Sequence, residues 1–257
     1  MTCVSPCEGC RNGAALPFDF SMAFQPIVDL ETGRPFAWEA LVRGTSGEGA
    51  TRILGQVTPE NRYAFDQACR VKAIETAVRA GILDTDARLS INFLPNAVYS
   101  PRACIQLTLR TAEATGFPTD RLIFEFTENE HMDDVGHVSG IVAEYRRMGF
   151  GTAIDDFGAG HAGLGLLARF QPDAIKLDME LVRDIDASLP RRVIVGGVMR
   201  MAHELGLRVV AEGVETAAEV DALRALGVRY LQGFFFARPE FERLPFPQAP
   251  KKLRRVA

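Results

Sequence analysis

Short runs of β-branched and aromatic residues recur along this chain between longer stretches whose apolar residues fall at helical spacing. That alternation constrains the fold more than any other feature. Strands are predicted over 22–28, 35–41, 88–93, 121–127, 151–154, 174–177, 208–211 and 230–235, and helices over 61–80, 102–115, 135–148, 191–205 and 217–226. Three helices stop at a glycine, in Thr115-Gly116, Met148-Gly149 and Leu205-Gly206, where a left-handed cap is least strained. No Pro/Gly-rich linker divides the alternation, so one sheet with helices outside it is favoured over two domains. With about eight strands the natural closure is a (β/α)8 TIM-like barrel, an α/β fold that roughly 250 residues fill as a single unit.

The composition agrees. A chain of 257 residues that is 47% hydrophobic can build one large core, and it lacks the heptads or glycine triplets of fibrous proteins. The barrel is expected over 20–245, between a Cys-containing N-terminal tail (1–19) and a basic C-terminal tail (246–257). No apolar run approaches the ~18 residues of a membrane span. The N-terminus also lacks the basic start and apolar stretch of a secretion signal, so a cytoplasmic protein without membrane insertion is expected. A net charge of −4, with no basic block before Lys251, Lys252, Arg254 and Arg255, argues against DNA or RNA as a partner. Five cysteines, two of them (Cys69 and Cys104) in predicted helices, argue against a disulfide framework. Cys3, Cys7 and Cys10 are either part of a Zn or Fe–S ligand set completed from elsewhere, or thiols in a polar tail; structural zinc usually wants four ligands.

The polar residue at or just past each strand end is more informative. In order these are Glu39, Asn92, Glu125, Asp155 with Asp156, Lys176, Glu212 and Gln232. In a parallel barrel such ends share the face where active sites are built. Carboxylates converging there would repel one another and raise their pKa values unless cations neutralise them. Oxygen ligands without a His or Cys pair suit Mg²⁺ or Mn²⁺. The adjacent Asp155-Asp156 pair suits a two-metal site, in which one aspartate bridges, and such sites serve in-line attack on phosphodiesters. Other motifs compete poorly. Gly158 to Gly163 contains a GxGxxG, read either as a flexible loop over the site or as a plain helix start, and there is no GxSxG elbow or Walker-type GK[ST].

These residues sit in blocks that resemble a family. FQPIVD at 24–29, AWEALVRG around Glu39, then INFLP, FEFTE, AIDDFGAG, IKLD, VVAEGVET and LQGFFFARP are similar to the motifs of the EAL-domain cyclic di-GMP phosphodiesterases, in order, from about Phe20 to Pro239. The resemblance implies a barrel whose first strand runs antiparallel to the rest. It also implies hydrolysis of cyclic di-GMP to linear pGpG, by attack of a metal-activated water, with two Mg²⁺ or Mn²⁺ ions. By motif, Glu39, Asn92, Glu125 and Asp155 would hold one ion, and Asp155, Asp156 and Glu212 the other. Catalysis would fall to Glu39, Lys176 and Glu212, with Lys176 contacting the attacking water. Arg43 would pair a substrate phosphate through its fork, and Leu41, Gln25, Gln232 and Pro239 would border the substrate. Glu128 and Glu215 would brace the loop after the diaspartate. A homodimer is implied, and Ca²⁺ is expected to inhibit because its looser coordination spoils a two-metal geometry.

The loop reads DDFGAGHAGL where many members read DDFGTGYSSL, so His161 stands for a tyrosine and Ala162-Gly163 for two serines. Fewer hydroxyls leave fewer local hydrogen bonds to hold it. The alternative reading is a catalytically silent EAL module that binds cyclic di-GMP or a protein partner.

Overall fold

The computed structural model describes residues 16–95, 98, 100–127, 135–160 and 163–247. In chain order the first half contains β1 (Ser21–Asp29), β2 (Arg34–Arg43), α1 (Ala50–Leu54), α2 (Arg62–Arg79), β3 (Arg88–Asn92), α3 (Pro101–Cys104), α4 (Gln106–Thr115), β4 (Leu122–Thr127) and α5 (Val135–Arg147). The second half contains β5 (Gly151–Phe157), α6 (Gly163–Leu167), β6 (Ala174–Leu177), α7 (Met179–Val182), α8 (Leu189–Leu205), β7 (Arg208–Ala211), α9 (Ala217–Ala225), β8 (Tyr230–Leu231) and β9 (Glu240–Phe241). Strands β2 to β8 lie side by side in sequence order, all parallel, and β1 closes the ring antiparallel to both β2 and β8. The fold is a closed α/β barrel of eight strands with an antiparallel first strand, and β9 adds a two-residue edge beside β1.

Gly116 and Gly206 cap α4 and α8 in the left-handed conformation, with φ of 71° and 69°. The predicted helix over 102–115 divides at Ile105, which is fully buried. The largest departure is β8, expected to reach 235. A Cβ on Gly233 would lie 2.0 Å from the carbonyl oxygen of Val214, so the chain there crosses the loop after β7 at backbone contact. Val214 N donates to Gln232 O and Phe235 N to Val214 O, which replaces a strand ladder with a loop-to-loop crossing.

Side chains alternate across each strand. Outward-facing Trp38, Phe124, Phe126, Ile154, Ile175 and Ala211 enter the large core between barrel and helices. A separate small cluster of Ile27, Ala37, Ile123, Ala153, Ala174 and Val210 fills the barrel axis. On the five parallel strands that contribute to the plug, the residue two positions after its member is polar: Glu39, Glu125, Asp155, Lys176 and Glu212. Period-two geometry therefore stacks a polar storey on an apolar one.

Cys69 is half-buried and Cys104 buried, both in helices, and neither forms a disulfide among the described residues. Cys3, Cys7 and Cys10, Glu128, His161, Ala162 and the basic residues from Lys251 onward lie outside the described residues. Among the described residues no helix is long and apolar enough to cross a membrane.

Candidate active site

The polar storey gathers side chains that are far apart in sequence. Lys176, 1% exposed, stands among four carboxylates: its Nζ lies 2.7 Å from Glu212, 2.8 Å from Glu125, 3.1 Å from Asp155 and 3.6 Å from Glu39. Asn92 Nδ2 donates to Glu39 Oε1 (2.9 Å), and Gln232 Nε2 donates to Glu39 Oε2 (2.6 Å) and to Gln25 Oε1 (3.2 Å). Gln25 in turn donates to Ala237 O (3.1 Å). Gln232 Oε1 is buried and, among the described residues, has no hydrogen-bond partner.

Consecutive aspartates in a regular strand would point to opposite faces. Here the ladder slips: Ile154 pairs with Ile175 but Phe157 pairs with Leu177, so β5 carries one residue more than β6. That is a β-bulge, a device common beside active sites. Asp156 takes φ 54°, a left-handed conformation that costs a residue with a Cβ about 1–2 kcal/mol. The result puts both Asp155 and Asp156 on the rim.

Two trios of carboxylates form, Glu39 with Glu125 and Asp155, and Asp155 with Asp156 and Glu212; within each, one oxygen per residue lies within 4.8 Å of the others. Asp155 belongs to both. Burial pushes the Glu125 carboxyl up to about 8, and the neighbouring charges of Glu39 and Asp155 add to burial while Lys176 opposes it. Burial and the charge of Asp155 push Asp156 up to about 6, and burial raises Glu212 well above the usual range. Lys176 goes the other way for a buried amine: the four acids outweigh burial and hold its ammonium firmly protonated. If all five acids ionise, one lysine leaves a formal excess of four negative charges, which two divalent cations would balance. All-oxygen donors of this kind fit Mg²⁺ or Mn²⁺ rather than zinc.

Above the trios lies a cavity of about 320 Å³, lined by Gln25, Glu39, Leu41, Asp155, Asp156, Asp178, Met179, Glu212, Glu215, Gln232 and Phe234 together with Gly213 and Gly233. Arg43 and Pro239 lie outside that lining. Arg43 is half-buried and donates to Val42 O (2.7 Å), and burial lowers its pKa against the pull of Glu39. Glu215 ion-pairs with Arg183 (3.2 Å) on the segment after α7. The sequence reading missed Ser90, which donates to Glu125 Oε1, and Asp178, whose charge bears on Asp156. Both were within reach of the period-two rule, two residues before Asn92 and two after Lys176.

Comparison with known proteins agrees with this architecture. Residues 18–239 match the family model described as "EAL domain". The blue light- and temperature-regulated antirepressor BluF of Escherichia coli is 32% identical over 90% of this chain and 57% of its own length. The cyclic di-GMP phosphodiesterase PA2567 of Pseudomonas aeruginosa is 30% identical over 93% and 40%. The chain therefore spans about half the length of these curated relatives. A standalone EAL protein from Vibrio cholerae, solved with c-di-GMP bound, is 49% identical over 90% of this chain and 96% of that one, with a TM-score of 0.86. Klebsiella pneumoniae BlrP1, solved with manganese and cyclic di-GMP, is 36% identical over 91% and 60%, with a TM-score of 0.83. The match runs almost the length of the described barrel, and by it the chain belongs to the EAL domain family.

Proposed function

We propose that this chain is a phosphodiesterase that hydrolyses cyclic di-GMP to linear pGpG in a site holding two divalent cations, Mg²⁺ or Mn²⁺. The observation that carries the reading is the pair of carboxylate trios sharing Asp155 around a buried lysine. Relatives named as cyclic di-GMP phosphodiesterases, and solved relatives holding that nucleotide, support the substrate. Bound cations would supply a hydroxide at neutral pH and neutralise charge at phosphorus.

The protein's own residues do the rest. Glu39, Glu125, Asp155, Asp156 and Glu212 offer the oxygen ligands, and Asn92 steers Glu39 through its amide while offering its own carbonyl oxygen. Four carboxylates hold the Lys176 ammonium protonated in the metal-free site, and its place among them lets it donate to the attacking water and set positive charge beside the developing oxyanion. Gln232 Oε1 is left free to accept a hydrogen bond from the bound nucleotide. Leu41 and Gln25 border the substrate from the cavity lining; Pro239 and Arg43 stand outside it, and Arg43 would exchange its bond to Val42 O for a substrate phosphate.

The antirepressor name of one relative favours a second reading, in which the same site binds cyclic di-GMP without cleaving it. Release of pGpG measured with Mn²⁺, alongside Asp155→Asn and Glu39→Ala, separates the two. Turnover in the parent and its loss in both variants is the expected result; binding without turnover in the parent selects the silent module. Ca²⁺ added to the Mn²⁺ enzyme should inhibit, because its longer bonds and looser coordination do not reproduce the two-metal spacing.

A further inference from the structure

The helical turn α7 stands between the two strand ends that supply the second carboxylate trio. Asp178 N donates to Phe157 O at the end of β5 (3.2 Å), and Asp178 Oδ1 accepts from Glu180 N (2.7 Å), which closes the turn. On the β7 side, Glu212 N donates to Leu177 O (3.2 Å). Two side chains of the turn meet glycines. A Cβ on Gly158, two residues past Asp156, would come within 2.4 Å of Leu181 Cδ1. A Cβ on Gly213, next to Glu212, would come within 2.5 Å of Met179 Cβ. Both glycines also have positive φ, 101° and 69°, which L side chains rarely adopt. Past the turn, Arg183 pairs with Glu215, three residues after Glu212. The turn is thus fastened to the loops after β5 and β7 at its start, its middle and its end.

We propose that Met179 and Leu181 are positioning residues: seated on Gly213 and Gly158, they set the gap between the ends of β5 and β7, and with it the geometry of Asp156 and Glu212. The inference rests on the two-cation reading above. It predicts an unequal effect, because the second trio takes all three of its members from the ends of β5 and β7, whereas the first takes only the shared Asp155 from there and holds Glu39 and Glu125 on β2 and β4. A residue that merely filled space would shift stability without favouring one cation over the other.

The test is calorimetric titration of the full chain with Mn²⁺, with chelator-treated melting as a folding control, on the parent, Leu181→Ala and Met179→Gly. The parent should bind two ions. Each variant should keep the first and weaken the second by about 10–100-fold, the range seen when groups that orient metal ligands are removed. Leu181→Met, which still fills the space over Gly158, should keep both. Two ions bound by the variants as tightly as by the parent, or both weakened alike, overturns the proposal. Met179 is 39% exposed, so its variant remains informative if Leu181→Ala does not fold. A parent that binds fewer than two ions removes the two-cation reading itself, and this inference with it.

Discussion

Lys176 is the residue on which the metal-free site depends. It is the cation among four carboxylates at 2.7–3.6 Å, and removing one partner from a buried charged cluster typically costs about 3–5 kcal/mol. Lys176→Met should therefore lower the stability of the chelator-treated protein by that order in denaturant melts, and Mn²⁺ should recover part of the loss. An unchanged midpoint without metal would contradict the central role given to the ammonium. The raised acids make a pH prediction. Glu125 titrates at about 8 in the fold against an ordinary 4.5. An acid with a raised folded pKa contributes its full stabilisation below about pH 4.5 and loses it as pH climbs through 8. The metal-free protein should lose stability across that window, and saturating Mg²⁺ should raise the melting temperature more at pH 8 than at pH 6. Equal gains at the two pH values would show that cation binding displaces no proton from this site.

At the scale of elements, the bulge in β5 is the feature most directly open to test. Asn tolerates the left-handed conformation about as well as Asp. Asp156→Asn should therefore fold like the parent, with metal-free stability equal or higher because a repelled charge is gone, while Mn²⁺ titration shows one ion held less tightly. A large loss of stability would mean that the carboxylate, rather than the backbone, holds the bulge together. The alternation of strands and helices was legible in the sequence because core-facing residues repeat with the period of each element, and the glycine stops before Gly116 and Gly206 came from the same logic. The bulge was not, since nothing local marks an extra residue; it exists because β5 and β6 fall out of step between Ile154 and Phe157. Nor was the early end of β8, which depends on Val214 crossing at backbone distance from Gly233. The convergence of Glu39, Asn92, Glu125, Asp155, Asp156, Lys176 and Glu212 could be anticipated because a parallel barrel sends every strand end to one rim. The setting of Arg43 and Pro239 outside the cavity lining depends on loop paths that periodicity does not encode.

For the whole molecule, the barrel core is independent of the site. The shell of aromatic and aliphatic residues between strands and helices holds the fold, so chelation should leave the protein folded, in contrast to small domains that need a metal to fold. The two-storey interior has a kinetic consequence. Ile27, Ala37, Ile123, Ala153, Ala174 and Val210 stopper the axis directly beneath the acidic rim. Among the described residues the cavity is closed at that end, so in the proposed reaction linear product would leave by the face from which cyclic nucleotide enters. Added pGpG should consequently raise the apparent KM while leaving the maximal rate unchanged, and a purely noncompetitive pattern would point to a separate exit.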